Sequence, residues 1–321
     1  MKILVCGAGW CGSLLSNKLT EYGDVEVYER NRKPTAICGC GIPTSFFVQL
    51  AKSYGLNPED YILWKAHEIM LSQGKKVRHI PIDNLCTFDK QKFMEDLINQ
   101  SSATFHFGKK LPESTKNYDL IIDASGKRAL LGKLPTDMII PCFQVKASFN
   151  KLPYPDFYAD FSDITSTSYL WMFPLSDREA NVGCGAPKGR YAYNRVMEFI
   201  KEHDGEIIQR QAKPVRIAPP HESLPFYRDN IIGVGESIGA ITGFGEGNAF
   251  SAITVELLLE NLEDTHAYSK AVLDELNWLK TDHAFIQSMI HQRKTRMIYY
   301  AAKIAGVYKR RLGVNLRKLF L

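Results

Sequence analysis

Long apolar runs are missing from this sequence. No stretch reaches the roughly 18 to 20 residues that span a bilayer, so no membrane-crossing helix is expected. No secretory leader is expected either, since Met1 and Lys2 run straight into an apolar β-prone segment without a basic n-region or a cleavage site. The seven cysteines (Cys6, Cys11, Cys38, Cys40, Cys86, Cys142 and Cys184) are odd in number and unevenly spaced. That argues against a disulfide framework and for reduced thiols in a cytoplasmic setting. Cys38 and Cys40 stand one residue apart, but no second pair at zinc spacing completes four ligands, so no metal is expected. Internal repeats and low-complexity tracts are absent, as is any nucleic-acid module, and nucleic acid is not an expected partner.

Negative charge is missing from one end. After Asp282 there is no acidic residue but there are nine Lys or Arg, which leaves 31 basic against 35 acidic residues in the rest. The overall +5 is therefore a property of the C-terminal stretch, and the remainder carries −4. Its cations alternate with Ile298, Tyr299, Tyr300, Ile304, Val307, Leu312, Leu316 and Phe320. The pattern suits a helix lying on an anionic membrane surface, and equally a solvated helix packed on the protein through its apolar side.

What is present is organised around residues 2–30. Lys2 to Cys6 reads as a strand, Gly7, Gly9 and Gly12 keep G-x-G-x-x-G spacing, Ser13 to Leu19 opens a helix, and Val25 to Tyr28 is a second strand ending at Glu29. One glycine makes the tight turn, one lets backbone approach a pyrophosphate, and one lets helix pack on strand. The helix N-terminus offers N–H groups to that pyrophosphate, and Glu29 stands where a carboxylate binds ribose hydroxyls. The candidate dinucleotide-binding residues here are Gly7, Ala8, Gly9, Trp10, Cys11, Gly12, Glu29 and Arg30.

Further along, YDLIID (118–123) is a strand that ends in Ala124, Ser125 and Gly126, the small-residue edge where ligands sit in an open α/β sheet. Between 134 and 224 short β-prone runs are broken by Pro and Gly, with one clear helix at Tyr193 to Glu202. This texture reads as a mostly antiparallel sheet inserted into the nucleotide domain. Asn230 to Asn261 restores a strand, then a glycine-rich turn, then a helix. Gly235, Gly243, Gly245 and Gly247 point to close backbone approach to a ligand, with Glu246 and Asn248 beside them, and Glu236 can bind sugar-alcohol hydroxyls. The expected fold is α/β: a discontinuous Rossmann-like domain (1–50, 85–133 and 225–262), a substrate domain (51–84 and 134–224) and C-terminal helices (263–321).

Taken together, these residues resemble FAD-dependent enzymes of the p-hydroxybenzoate hydroxylase fold and are most similar to the geranylgeranyl reductase family. Tyr169-Leu170-Trp171-Met172-Phe173-Pro174, followed by Asn181 to Gly185, matches that family's Y-x-W-x-F-P…G-x-G segment. Cys38-Gly39-x-Gly41-Ile42 matches its cysteine–glycine loop. The resemblance implies FAD as cofactor, with Cys40, Gly41, Ile42 and Lys90 joining the cofactor-binding set and the helix opening at Gly247 or Asn248 aimed at the flavin. Glu236 stands where the family has Asp, and Lys90 where it has Arg.

The resemblance also implies an isoprenoid substrate lined by Tyr169, Trp171, Phe173, Pro174, Gly183 and Gly185. Hydride comes from reduced flavin, Tyr169, Trp171 and Cys38 are the candidate catalytic residues, and Cys38 or Tyr169 is a candidate proton source. No second complete dinucleotide motif is evident, which leaves NAD(P)H or a ferredoxin-like carrier open as electron donor. A flavin hydroxylase of the same fold, and a non-catalytic flavin-binding protein at a membrane, are the alternative readings.

Overall fold

The computed structural model describes residues 1–74 and 76–312. Lys75, and Leu316, Arg317, Lys318 and Phe320 of the basic tail, lie outside the described residues. The chain forms two compact units, each assembled from three stretches: Met1–Ala36, Lys90–Met138 and Arg216–Lys280 in the first, Ile37–Asp89, Ile139–Val215 and residues from Thr281 onward in the second.

The first unit holds a six-stranded sheet in the order Tyr227–Arg228, Ile231–Gly233, Leu120–Asp123, Lys2–Cys6, Asp24–Glu29, Thr104–Phe107. All neighbours run parallel except the antiparallel edge pair Tyr227–Arg228 and Ile231–Gly233. Lys2–Cys6 is central, and Ile3, Leu4 and Val5 are fully buried; a parallel strand covered on both faces reads as one continuous apolar run. Its two neighbours, both later in the chain, lie on opposite sides of it, so the strand order reverses there and its C-terminal edge is the switch point where ligands bind in such sheets. Register places Tyr28, Cys6, Asp123 and Gly233 side by side along that edge. Four loops therefore leave the sheet together.

The second unit holds a seven-stranded sheet, Glu206–Ile217, Met138–Ser148, Glu179–Gly185, Tyr169–Pro174, Phe157–Asp160, Glu68–Gln73, Lys76–Pro81. Its pairings are antiparallel wherever a register is defined, except the parallel pair Phe157–Asp160 and Glu68–Gln73. The mostly antiparallel reading is thus what the chain adopts. Leu170, Met172, Val182, Cys184 and Val145 pack with Ala192, Val196, Phe199 and Ile200 of the Gly189–Glu202 helix to form its core. Strand alternation sends Tyr169, Trp171 and Phe173 to the opposite face.

Residues 37–50 were expected with the nucleotide-binding stretches, yet the observed division falls at 36/37. Gly41–Ile42 pairs antiparallel with Cys86–Phe88 in a separate three-stranded sheet, which draws the segment into the second unit. Residues 263–280 join the first unit instead of a separate C-terminal region, anchored by the Tyr268 hydroxyl donating to Gly233 O at 2.8 Å. In the Lys294–Leu312 helix, Ala301, Ile304 and Tyr308 form the buried face, and Tyr308 donates to the Asp282 carboxylate. Among the described residues no helix is long and apolar enough to cross a membrane.

Candidate functional site

In the first unit the three motif glycines separate into three physical jobs. Gly7 sits at φ +104° and donates to Tyr28 O at 2.9 Å, and a Cβ there would lie 3.0 Å from Ala124 O. That is the tight turn. A Cβ on Gly12 would lie 1.8 Å from Gly7 O, so Gly12 is where helix meets strand. Around a Cβ on Gly9 there is nothing within 4 Å. Gly9 also caps the Trp10–Leu19 helix, whose first turn has no side-chain cap and no acidic residue. Open space over an uncapped helix N-terminus suits a pyrophosphate.

Glu29 ends its strand as expected. Its carboxylate accepts from Ala8 N–H at 3.1 Å and Asn31 N–H at 2.8 Å, which holds it beside the glycine turn; Arg30 beyond it is exposed. The Cys6 thiol is pushed up to about 12, first by burial and then by the Asp123 and Glu29 carboxylates, so it is inert. Asp123 itself is fully buried and accepts from Ser125 Oγ at 2.5 Å and from the N–H groups of Leu130 and Leu131. It shapes the Ala124–Gly126 turn.

The glycine-rich segment meets this corner within the same unit. Gly235, at φ +64°, leaves room for Cys11, whose sulfur would stand 2.5 Å from a Cβ there. The Trp10 indole donates to Asn248 O at 2.7 Å, and Lys90 Nζ donates to Asn248 Oδ1 at 2.7 Å while lying 5.1 Å from the Trp10 ring centroid. Lys90 thereby ties three helix starts together. Glu236 reaches Arg216 N–H with Oε1 at 2.9 Å, and its carboxyl lies 3.7 Å from a Cβ built on Gly126. Residues 242–246 form a turn closed on Thr242, which accepts from Gly245 N–H and, through its hydroxyl, from Glu246 N–H. Gly243 is half-buried, Glu246 exposed, and Gly247 caps the following helix without a side-chain cap. The donors, the cradle over Gly9 and the ribose-side carboxylate fit the nucleotide half of FAD.

In the second unit an aromatic row runs along one sheet face. Ring centroids are 5.3 Å apart for Phe161–Tyr169, 5.5 Å for Tyr169–Trp171, 6.5 Å for Trp171–Phe173 and 4.7 Å for Phe157–Phe173. The Cys38–Ile42 segment lies on this row, since a Cβ on Gly39 would come within 2.8 Å of the Phe173 ring. It is held by Gln144 donating to Cys38 O at 2.9 Å, Phe88 N–H to Cys40 O at 3.1 Å and Asn181 to Gly39 O at 3.4 Å. Cys40 takes φ +63°, and its thiol donates to Cys38 O at 3.3 Å. Cys40 and Ile42 have buried side chains, Cys38 a half-buried one, and Gly41 is packed near Phe173 and Phe157.

Three of the expected pocket residues are packed against the chain's own groups. Pro174 is buried, its carbonyl accepting from the Thr87 hydroxyl at 2.6 Å. Gly183 lies beneath the Trp171 indole, and Gly185 stands opposite Tyr169 with Cys142 Sγ 3.2 Å from a Cβ there. These glycines make room for the chain's own side chains. Arg216 and Gln144 were not read from the sequence. Each acts mainly through partners far along the chain, and no local spacing marks it.

No protein-family model matches the chain. In sequence it is similar to a digeranylgeranylglycerophospholipid reductase of Methanosphaera stadtmanae, 28 % identical over 88 % of this chain and 83 % of that protein. In structure it is similar to a geranylgeranyl bacteriochlorophyll reductase-like protein of Thermoplasma acidophilum, with a TM-score of 0.76 and 17 % identity over 90 % of this chain and 87 % of that one. A probable FAD-dependent monooxygenase of Pseudomonas aeruginosa shares the fold at a TM-score of 0.64 and 13 % identity, over 94 % of this chain and 99 % of that one. By fold and by sequence, the chain is thus similar to geranylgeranyl reductase-like proteins and to other FAD-dependent oxidoreductases.

Proposed function

We propose that the chain reduces isolated double bonds of an isoprenoid, geranylgeranyl-type lipid. The observation that carries this reading is the aromatic row of Tyr169, Trp171 and Phe173, set on the sheet face opposite the packed core. An isolated trisubstituted alkene has no carbonyl to polarise, so its reduction places transient positive charge on the more substituted carbon. Aromatic faces stabilise such charge, and their apolar bodies suit a prenyl chain. Reduced FAD, when bound, supplies the hydride.

The residues of this chain do the rest. The Gly7–Gly12 turn and the helix it opens hold the pyrophosphate, and Glu29 the ribose. Glu236 and the helix start at Asn248 serve the flavin end, with Lys90 fixing Asn248. Cys38, whose sulfur accepts from Cys40 N–H at 3.3 Å, and Tyr169 are the two candidate proton donors. Either NAD(P)H or a ferredoxin-like carrier serves as electron donor. The prenyl substrate and the cationic C-terminal helix together favour work at a membrane surface.

Purified protein loaded with FAD and bleached with dithionite under argon should recover its yellow absorbance when an unsaturated geranylgeranyl glycerolipid is added. Mass spectrometry should show the lipid gaining one H2 per double bond. NAD(P)H consumption that requires oxygen, with an oxygen atom gained by the product, would replace this reading with hydroxylation. Colourless protein that cannot take up FAD would overturn both.

A further inference from the structure

Gln144 is buried in the sheet and stands opposite Gly183, which in turn stands opposite Trp171 on the next strand. The three residues make one row across three strands. A Cβ on Gly183 would lie 2.2 Å from indole Cζ2 and 2.4 Å from Cε2, so the ring lies across the bare backbone of the middle strand. From there Nε1–H reaches Gln144 Oε1 at 3.3 Å. The other end of the amide donates to Cys38 O at 2.9 Å and Gln211 Oε1 at 3.1 Å. A backbone carbonyl only accepts, so Cys38 O fixes which end of the amide is NH2 and turns the amide oxygen toward the indole.

We infer that Gln144 and Gly183 are positioning residues that set the plane of the Trp171 indole, so that a bound alkene meets one fixed ring face. The inference rests on the proposed role of Trp171 in stabilising positive charge. Gly183 supplies the gap in which the ring lies, and Gln144 supplies the only kind of group, an acceptor, that an indole N–H can use. Neither needs to touch substrate. Replacing Gln144 by Leu removes the acceptor while keeping bulk, and the freed N–H turns the ring to find another.

The test has two arms. In cofactor-free protein labelled with 5-fluorotryptophan, Gln144→Leu should shift or broaden the Trp171 resonance, assigned by its loss in Trp171→Phe. The resonances of Trp10, Trp64 and Trp278 should stay in place, which also reports that the variant is folded. An unmoved Trp171 signal in folded Gln144→Leu would overturn the inference. If the variant does not fold, Gln144→Asn, which keeps an acceptor one methylene short, takes its place under the same criterion.

In the second arm, Gln144→Leu should lower kcat for alkene reduction by about tenfold to a hundredfold, with a smaller change in KM. In a Trp171→Phe background, which has no indole N–H, it should cause no further loss. An equal loss in both backgrounds would mean that Gln144 acts elsewhere. Absence of alkene reduction by the unmodified protein would count against the proposed function and leave the fluorine result to decide this inference.

Discussion

At the scale of single residues, glycines that look alike in a motif differ in what surrounds them. Gly9 has φ −78° and ψ −158°, a backbone that side chains adopt, and no atom near its missing Cβ, whereas Gly12 is pressed against Gly7 O. Gly9→Val should therefore leave the melting temperature of the cofactor-free protein almost unchanged and abolish FAD binding by titration. Gly12→Val should unfold the turn before binding can be asked. Equal FAD affinity in Gly9→Val and the unmodified chain would remove the proposed pyrophosphate site. Spacing marked all three glycines because turn, helix start and neighbouring strand are adjacent in sequence. It marked Gly183 for the pocket wall but not for its fit beneath Trp171, because the indole above it arrives from a neighbouring strand.

At the scale of elements, the Gly235–Ile238 turn is fastened from outside. Arg216 donates from its backbone to Glu236 Oε1, from its guanidinium to Glu236 O at 3.1 Å and to Ser223 Oγ at 2.9 Å, and pairs with Asp137 at 2.6 Å. Burial alone would raise the Asp137 carboxyl, but hydrogen bonds from Arg216 and from Leu134 N–H outweigh it and hold the group below its ordinary value. A carboxyl lowered on folding contributes stability that is full above about pH 4 and is lost as pH falls through its folded value. Asp137→Asn leaves Arg216 buried without its counter-charge, at a cost of about 3 to 5 kcal/mol. Urea unfolding followed against pH should show that loss at neutrality, and a flatter acid limb below pH 4 than in the unmodified chain. The same variant should bind FAD more weakly, since the Glu236 turn loosens.

The elements themselves were largely legible. The strand–turn–helix–strand opening, the strand ending at Asp123 and the helix from Asn248 have the expected type and place, because apolar period and glycine position act locally. Although Pro was expected to break the β-prone runs between 134 and 224, Met138–Ser148 forms one strand through Pro141, whose carbonyl still accepts from Ala186 N–H at 3.1 Å. A missing donor ends a strand only where a partner needs it. Arg216 and Gln144 stayed invisible because their partners lie 7 to 106 positions away, with no fixed local spacing.

At the scale of the whole molecule, charge is sorted along the chain. On the Lys294–Leu312 helix the face away from buried Ala301, Ile304 and Tyr308 carries Arg296, Tyr299, Lys303 and Arg310, and Lys303 Nζ lies 4.5 Å from the Tyr299 ring centroid. Ile298 and Tyr299 are more than half exposed. Replacing Arg296, Lys303 and Arg310 together by Gln should weaken partition onto phosphatidylserine-containing vesicles on the order of a hundredfold in sedimentation assays, at about 1 kcal/mol per cation. Raising salt should weaken the unmodified chain's binding in the same direction. Unchanged partition, or equal binding to neutral vesicles, would assign this face to plain solvent.

Both units are braided from three separate stretches of polypeptide, and this governs how the molecule comes into being. The parallel sheet gains its Ile231–Gly233 strand only after more than a hundred residues beyond Leu120–Asp123 have been made. Through that interval a nascent chain on the ribosome carries an unfinished, sticky edge, and late closure of this kind is intrinsically slow. Neither half can be lifted out and expressed as a cassette, and recombination that shuffles contiguous blocks would break both at once.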